Sequence, residues 1–106
     1  MIDLTRIHEL RAEIGRDDLA AIVAVYREEA EATLARITPR LPRQDYARAL
    51  HFLRSGALNI GLSGISDLAA TLETDLAGDA VDQDGGRRRL AEALDRTMAE
   101  LDEALG

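Results

Sequence analysis

Between Tyr46 and Ile60 a set of apolar side chains recurs at Tyr46, Leu50, Leu53, Ala57 and Ile60. Spacings of three and four put them in one stripe along an α-helix. The same spacing returns in four other segments, and no stretch shows the two-residue alternation of a half-buried strand. Aromatics make up only 3% of the residues, so a core has to be built from Leu, Ile, Val and Ala. Ala and Leu lead the helix scale, whereas aromatic and β-branched residues lead the strand scale. The expected class is therefore all-α: an up-down antiparallel four-helix bundle with a short additional N-terminal helix. At 106 residues the chain has room for one core, so residues 1–106 are expected to form one domain.

The first helix is expected from Asp3, a capping side chain, to Ile14, with Leu4, Ile7, Leu10 and Ile14 inward and Gly15 as its stop. The second starts at Asp17 or Asp18, whose charges suit the positive end of the helix dipole, and reaches Ile37 before Thr38-Pro39. Its predicted stripe is Leu19, Ile22, Tyr26, Ala30, Thr33 and Ile37. Off that stripe stand Ala20, Ala21, Ala24 and Val25, which read either as helix formers or as a small apolar docking patch. Pro39 to Arg43 is a tight basic connector into a third helix over Gln44–Ile60. A fourth runs from Ser63 to Ala77 with Ile65, Leu68, Ala69, Leu72 and Leu76 inward. Gly78 to Gly86 reads as an acidic loop, and it lacks the ligand spacing and closing Glu of an EF-hand. The last helix is expected over Arg87–Leu105, with Leu90, Leu94, Met98, Leu101 and Leu105 as its seam.

Composition removes several function classes. A net charge of −7 repels phosphate backbones, so nucleic acid is not an expected partner. With no cysteine there is no disulfide, thiol nucleophile or cysteine zinc site. His8 has no second His or Cys at metal spacing, so no metal site is expected. No apolar run reaches membrane-spanning length and Met1-Ile2-Asp3 does not begin a signal peptide, so the expected location is the cytoplasm, without membrane contact. There is no phosphate-binding Gly-x-x-x-x-Gly-Lys loop, and no kinase ATP-binding domain fits in the length. A Ser55-His51-Asp67 hydrolase lacks an evident oxyanion hole, and Asp17-Asp18 and Glu28-Glu29 read as solvated charge. All thirteen basic residues are arginine, which reads as base composition of the gene.

His51 is the exception to the inward pattern. At about 100° per residue it points more than a right angle from the centre of the Leu50-Leu53-Ala57 stripe. Arg54, Ser55 and Leu58 follow at three, four and seven residues and share its side. An exposed imidazole with a guanidinium one turn away, and small neighbours, suits a nucleophile that a large partner must reach.

These residues resemble the signature of the histidine-containing phosphotransfer (HPt) domains of two-component phosphorelays, His-x-Leu-Lys-Gly/Ser-x-x-x-x-x-Gly. His51, Leu53, Arg54, Ser55 and Gly61 stand in register, with Asn59 ahead of the glycine, then Ile65, Ala69, Leu72 and Glu73 on the next helix. Arg54 takes the place of the usual Lys, and Ser55 a position that is often Gly, with Gly56 one residue on. The resemblance implies that His51 is the phosphorylated nucleophile and that Arg54 offsets the phosphate charge. It implies Gly61 and Glu73 as structural positions; Ser55 and Leu58 beside His51, with the Ala20, Ala21, Ala24 and Val25 patch of the second helix, are the candidate docking face. The implied protein is a phosphocarrier rather than a true enzyme. It relays a phosphoryl group between receiver aspartates, needs no cofactor, and relies on Mg²⁺ supplied by the receiver. Response-regulator receiver domains are the implied partners, with a hybrid histidine kinase as a further one, and a monomer is expected over a homodimer. Two alternatives stay open: an adaptor that docks a receiver or kinase without being phosphorylated, and an unrelated helical dimerisation module.

Overall fold

A computed structural model describes residues 1–78 and 80–106. Among them each apolar stripe forms a helix and no strand occurs: α1 (Leu4–Ile14), α2 (Arg16–Arg36), α3 (Arg43–Ile60), α4 (Ser63–Asp75) and α5 (Gln83–Leu105). The caps follow local chemistry. Asp3 accepts a hydrogen bond from the Arg6 amide at 3.2 Å and opens α1, while the Gly15 amide donates to the Arg11 carbonyl to close it. Asp17 and Asp18 fill the first turn of α2. Gly61 closes α3 in the left-handed region at φ 85°, which a residue with a Cβ adopts only with strain. The Leu62 amide then donates back to the Ala57 carbonyl at 2.8 Å, and α4 begins at once.

α3 packs on α4, α4 on α5, α5 on α2 and α2 on α3, so the four long helices close around one core, while α1 lies against α2 and α3. The α3 stripe is buried as its spacing predicts, from Tyr46 to Ile60. Each fully covered leucine there, such as Leu50 or Leu53, contributes about 2 kcal/mol by leaving water. α3 is thus held on its inner side by both neighbours, and its outer side is left to solvent.

Four expectations need correcting. Ile22 is 45% exposed, and Val23 takes its place inside with Leu34. Val23 lies four residues after Leu19 and seven before Ala30, closer to the centre of the face than Ile22. Leu4 is exposed because only Ile7 of α1 is fully buried; Leu10 and Ile14 pack at the edge. α4 ends at Asp75, two residues before the expected Ala77, in a turn. Finally, α5 starts at Gln83 and carries Gly85 and Gly86 inside it. Asp82 caps it by accepting from the Gly85 amide at 2.9 Å, and the Gln83 side-chain amide donates to the Thr38 and Leu41 carbonyls at 2.9 and 3.0 Å. The expected acidic loop is therefore shorter than predicted, and its Asp79 lies outside the described residues.

Candidate functional site

The outer side of α3 presents His51 to solvent in mid-helix. Arg54, one turn on, is half-buried, and its Nη2 lies 3.0 Å from His51 Nδ1. An arginine only donates, so in this contact Nδ1 is the acceptor. The Ser55 Oγ lies 3.5 Å from Nε2, at the limit of a hydrogen bond. Nε2 is thus the less engaged of the two ring nitrogens.

Arg54 is itself held from the next helix. Its Nε donates to Glu73 Oε1 at 2.5 Å and its Nη2 reaches Glu73 Oε2 at 3.5 Å. Both side chains are partly shielded, at 32% and 26% exposure, so the pair is less screened than one in open solvent. Glu73, Arg54 and His51 form one hydrogen-bonded chain running from α4 to the surface of α3.

A second contact fixes how α2 meets α3. Tyr26 is buried in α2 and donates its phenol to the Leu53 carbonyl at 2.8 Å. A Cβ on Gly56 would stand 2.7 Å from the Tyr26 ring, so the two helices approach closely only because residue 56 has no side chain. Burial raises the Tyr26 pKa above its ordinary value. Tyr46, beneath the same helix, is raised first by burial and then by the charges of Asp82 and Asp75.

The remaining predicted site residues divide into two groups. Leu58 is 62% exposed, on the same outer side as His51, and Ser55 is partly exposed. Ala20, Ala21, Ala24 and Val25 are all exposed on α2, and Ile22 joins them. Gly61 has no access to the His51 surface: it is buried in the α3–α4 turn, where its carbonyl accepts from the Asp3 amide at 2.8 Å. One neighbour of His51 escaped the sequence reasoning. Phe52, the chain's one phenylalanine, is 38% exposed, and it lines an open hollow of about 580 Å³ together with Ala47, Arg48, His51, Ser55 and Gly56. Its place off the buried stripe, directly beside His51, was the available signal. Among the described residues, no group of three or more His, Asp or Glu side chains comes together as a metal site, and no helix is long and apolar enough to cross a membrane.

The bundle thus presents one histidine, His51, to solvent in the middle of a helix with an arginine beside it. The family model described as the Hpt domain matches residues 21–105. The chain belongs to the Hpt domain family. The match covers α3, α4, α5 and α2 from Ala21 onward, and leaves α1 and the first turn of α2 outside it. No curated protein and no solved structure gives a significant match.

Proposed function

We propose that the chain is a histidine phosphotransfer protein in which His51 Nε2 accepts a phosphoryl group from an aspartyl phosphate on a receiver domain and passes it to another. The observation that carries this reading is the solvent-exposed His51, with the Arg54 guanidinium one turn away, in a chain of the Hpt family. In the forward step the Nε2 lone pair attacks phosphorus, the N–P bond forms, and the aspartate leaves as a carboxylate. Attack at Nε2 requires the ring proton to sit on Nδ1. Arg54 therefore has to turn from Nδ1, and it is then free to meet the incoming phosphoryl oxygens with a charge-assisted hydrogen bond. Positioning and charge stabilisation are most of what phosphoryl transfer asks of a protein. The Mg²⁺ comes with the receiver's acidic pocket, and this chain contributes no cofactor.

The proposed frame is an up-down antiparallel four-helix bundle of α2–α5 within a single domain, acting as a monomer. Support comes from the two-residue α3–α4 link and from a particle measuring 44 × 21 × 19 Å. Its long axis is near the roughly 35 Å of α5 at about 1.5 Å per residue. Ser55 and Leu58, with Ala20, Ala21, Ala24 and Val25, form the proposed docking face for receivers and for a hybrid kinase.

The test is direct. The purified chain is incubated with receiver domains of the source organism, each charged on its aspartate from a labelled small-molecule phosphodonor. Acid-labile, base-stable label on this chain, mapped to His51, is the expected result. Label on no receiver combination, or label on another residue, rejects the reading.

A further inference from the structure

Along the chain, the stretch that contains His51 is basic within an acidic protein, although Glu73 of α4 pairs with Arg54. Residues 32–66 hold Arg36, Arg40, Arg43, Arg48 and Arg54 against one carboxylate, Asp45, in a chain with a net charge of −7. Two of these arginines edge a groove of about 490 Å³ between the C-terminal half of α2 and the N-terminal half of α3. Its apolar lining is Leu41, Ala49 and Phe52, and its polar rim is Arg36 and Arg48 with Thr33 and one carboxylate, Asp45. Arg48 and Phe52 also line the hollow beside His51, so groove and hollow adjoin. Neither rim cation is firmly occupied. Arg36 is exposed and donates only to the Thr33 hydroxyl at 3.4 Å. Arg48 is 74% exposed and meets Asp45 at 3.0 Å, a pair of the weak surface kind that a partner's carboxylate readily displaces.

Building on the phosphotransfer reading, we propose that this groove is the electrostatic half of the docking surface and that it takes an acidic segment of the receiver that exchanges phosphate with His51. Charge complementarity favours the occupant: exposed arginines at the groove attract an acidic segment, whereas two whole copies of this chain, each with a net charge of −7, repel one another. The apolar floor suits a segment that sets an apolar side chain between its carboxylates. Leu58 on the same helix as His51, and Ile22 and Val25 on α2, add exposed apolar side chains. A footprint that joins basic and apolar parts sets the direction in which a receiver lies across the histidine.

The experiment compares Arg36→Gln/Arg48→Gln with the parent, and with Arg88→Gln/Arg96→Gln on α5 as a control of equal charge change. Receiver binding is measured by calorimetry in a His51→Gln background at 50 and 300 mM NaCl, and phosphotransfer is followed in the His51 chain. The groove variant is expected to bind about tenfold more weakly at low salt, to lose most of its salt dependence, and to keep its helix content. The α5 control is expected to stay within about twofold of the parent. If the groove variant binds like the parent with the same salt slope while transfer proceeds, the groove is not a docking site and the phosphotransfer reading survives. If the α5 control loses as much affinity, net charge is the cause and the inference falls. If no receiver exchanges phosphate with His51, both fall together.

Discussion

Glu73 grips Arg54 by its Nε edge and leaves the Nη2 corner turned toward His51 Nδ1 at 3.0 Å. The carboxylate thereby decides where the guanidinium waits. The Glu73→Ala variant is expected to lose about 1 kcal/mol of stability, between the values for exposed and buried pairs. It should also blur the position of Arg54 and slow phosphotransfer. Urea unfolding and single-turnover transfer check the two effects separately.

The nucleophile and its support should differ sharply. His51→Gln is expected to abolish acid-labile phosphorylation with helix content unchanged, because the side chain is exposed and glutamine offers no comparable nitrogen. Arg54→Ala should leave transfer measurable but slower, since it removes charge stabilisation and not the attacking atom. Arg54→Lys should do least harm, as it keeps a cation within reach. Rapid-quench transfer from one charged receiver ranks the three.

On α2, Ala24→Glu places a charge on the exposed apolar patch that would lose its hydration against a docked receiver. Receiver affinity should fall several-fold with no change in melting temperature. Unchanged affinity in a calorimetric titration moves the docking face away from α2.

Gly56→Ala tests the close contact with Tyr26. The added methyl would sit 2.7 Å from a ring that is locked by its bond to the Leu53 carbonyl, so the helices must part. The overpacking cost, about 1–3 kcal/mol, should exceed the gain of about 1 kcal/mol in helix propensity. A lowered urea midpoint for Gly56→Ala, with partial recovery in Gly56→Ala/Tyr26→Leu, is the expected pattern.

Alkaline pH should weaken the fold through the same tyrosine. Burial raises the Tyr26 pKa, so the folded chain holds the phenol proton more tightly than the unfolded one, whose tyrosines titrate near ~10. That stability is complete below about pH 10 and declines as the pH climbs above it toward the folded value. Tyr46 shifts in the same direction and adds to the slope. Unfolding free energies between pH 8 and pH 11 should show the decline, and Tyr26→Phe should flatten part of it.

Much of this was legible in the residues. The α3 stripe was readable because a polar or small residue separates nearly every inward position, leaving one phase for the helix. On α2 that separation fails: Ile22 and Val23 are adjacent and both apolar, so local spacing from Tyr26 admits either, and only the phase averaged from Leu19 to Ala30 selects Val23. Gly85-Gly86 hid the first turn of α5, because two glycines argue for a turn until Asp82 and Gln83 are seen to hold them from outside. The side of α3 that carries His51 followed from angle alone. The chain linking it to Glu73 did not, since no spacing within one helix reports which arginine a carboxylate on the next helix will meet.

Gln83 leaves a trace far from its own helix. Its side-chain amide closes on the Thr38 and Leu41 carbonyls across 45 and 42 residues of chain, at the corner where α2 gives way to α3. Leu41 forms part of the groove floor, so the shape met by anything lying there is written partly in a glutamine that never touches it. A substitution at Gln83 should therefore surface first as altered partner preference, a phenotype that a map of residues near His51 would leave without an author.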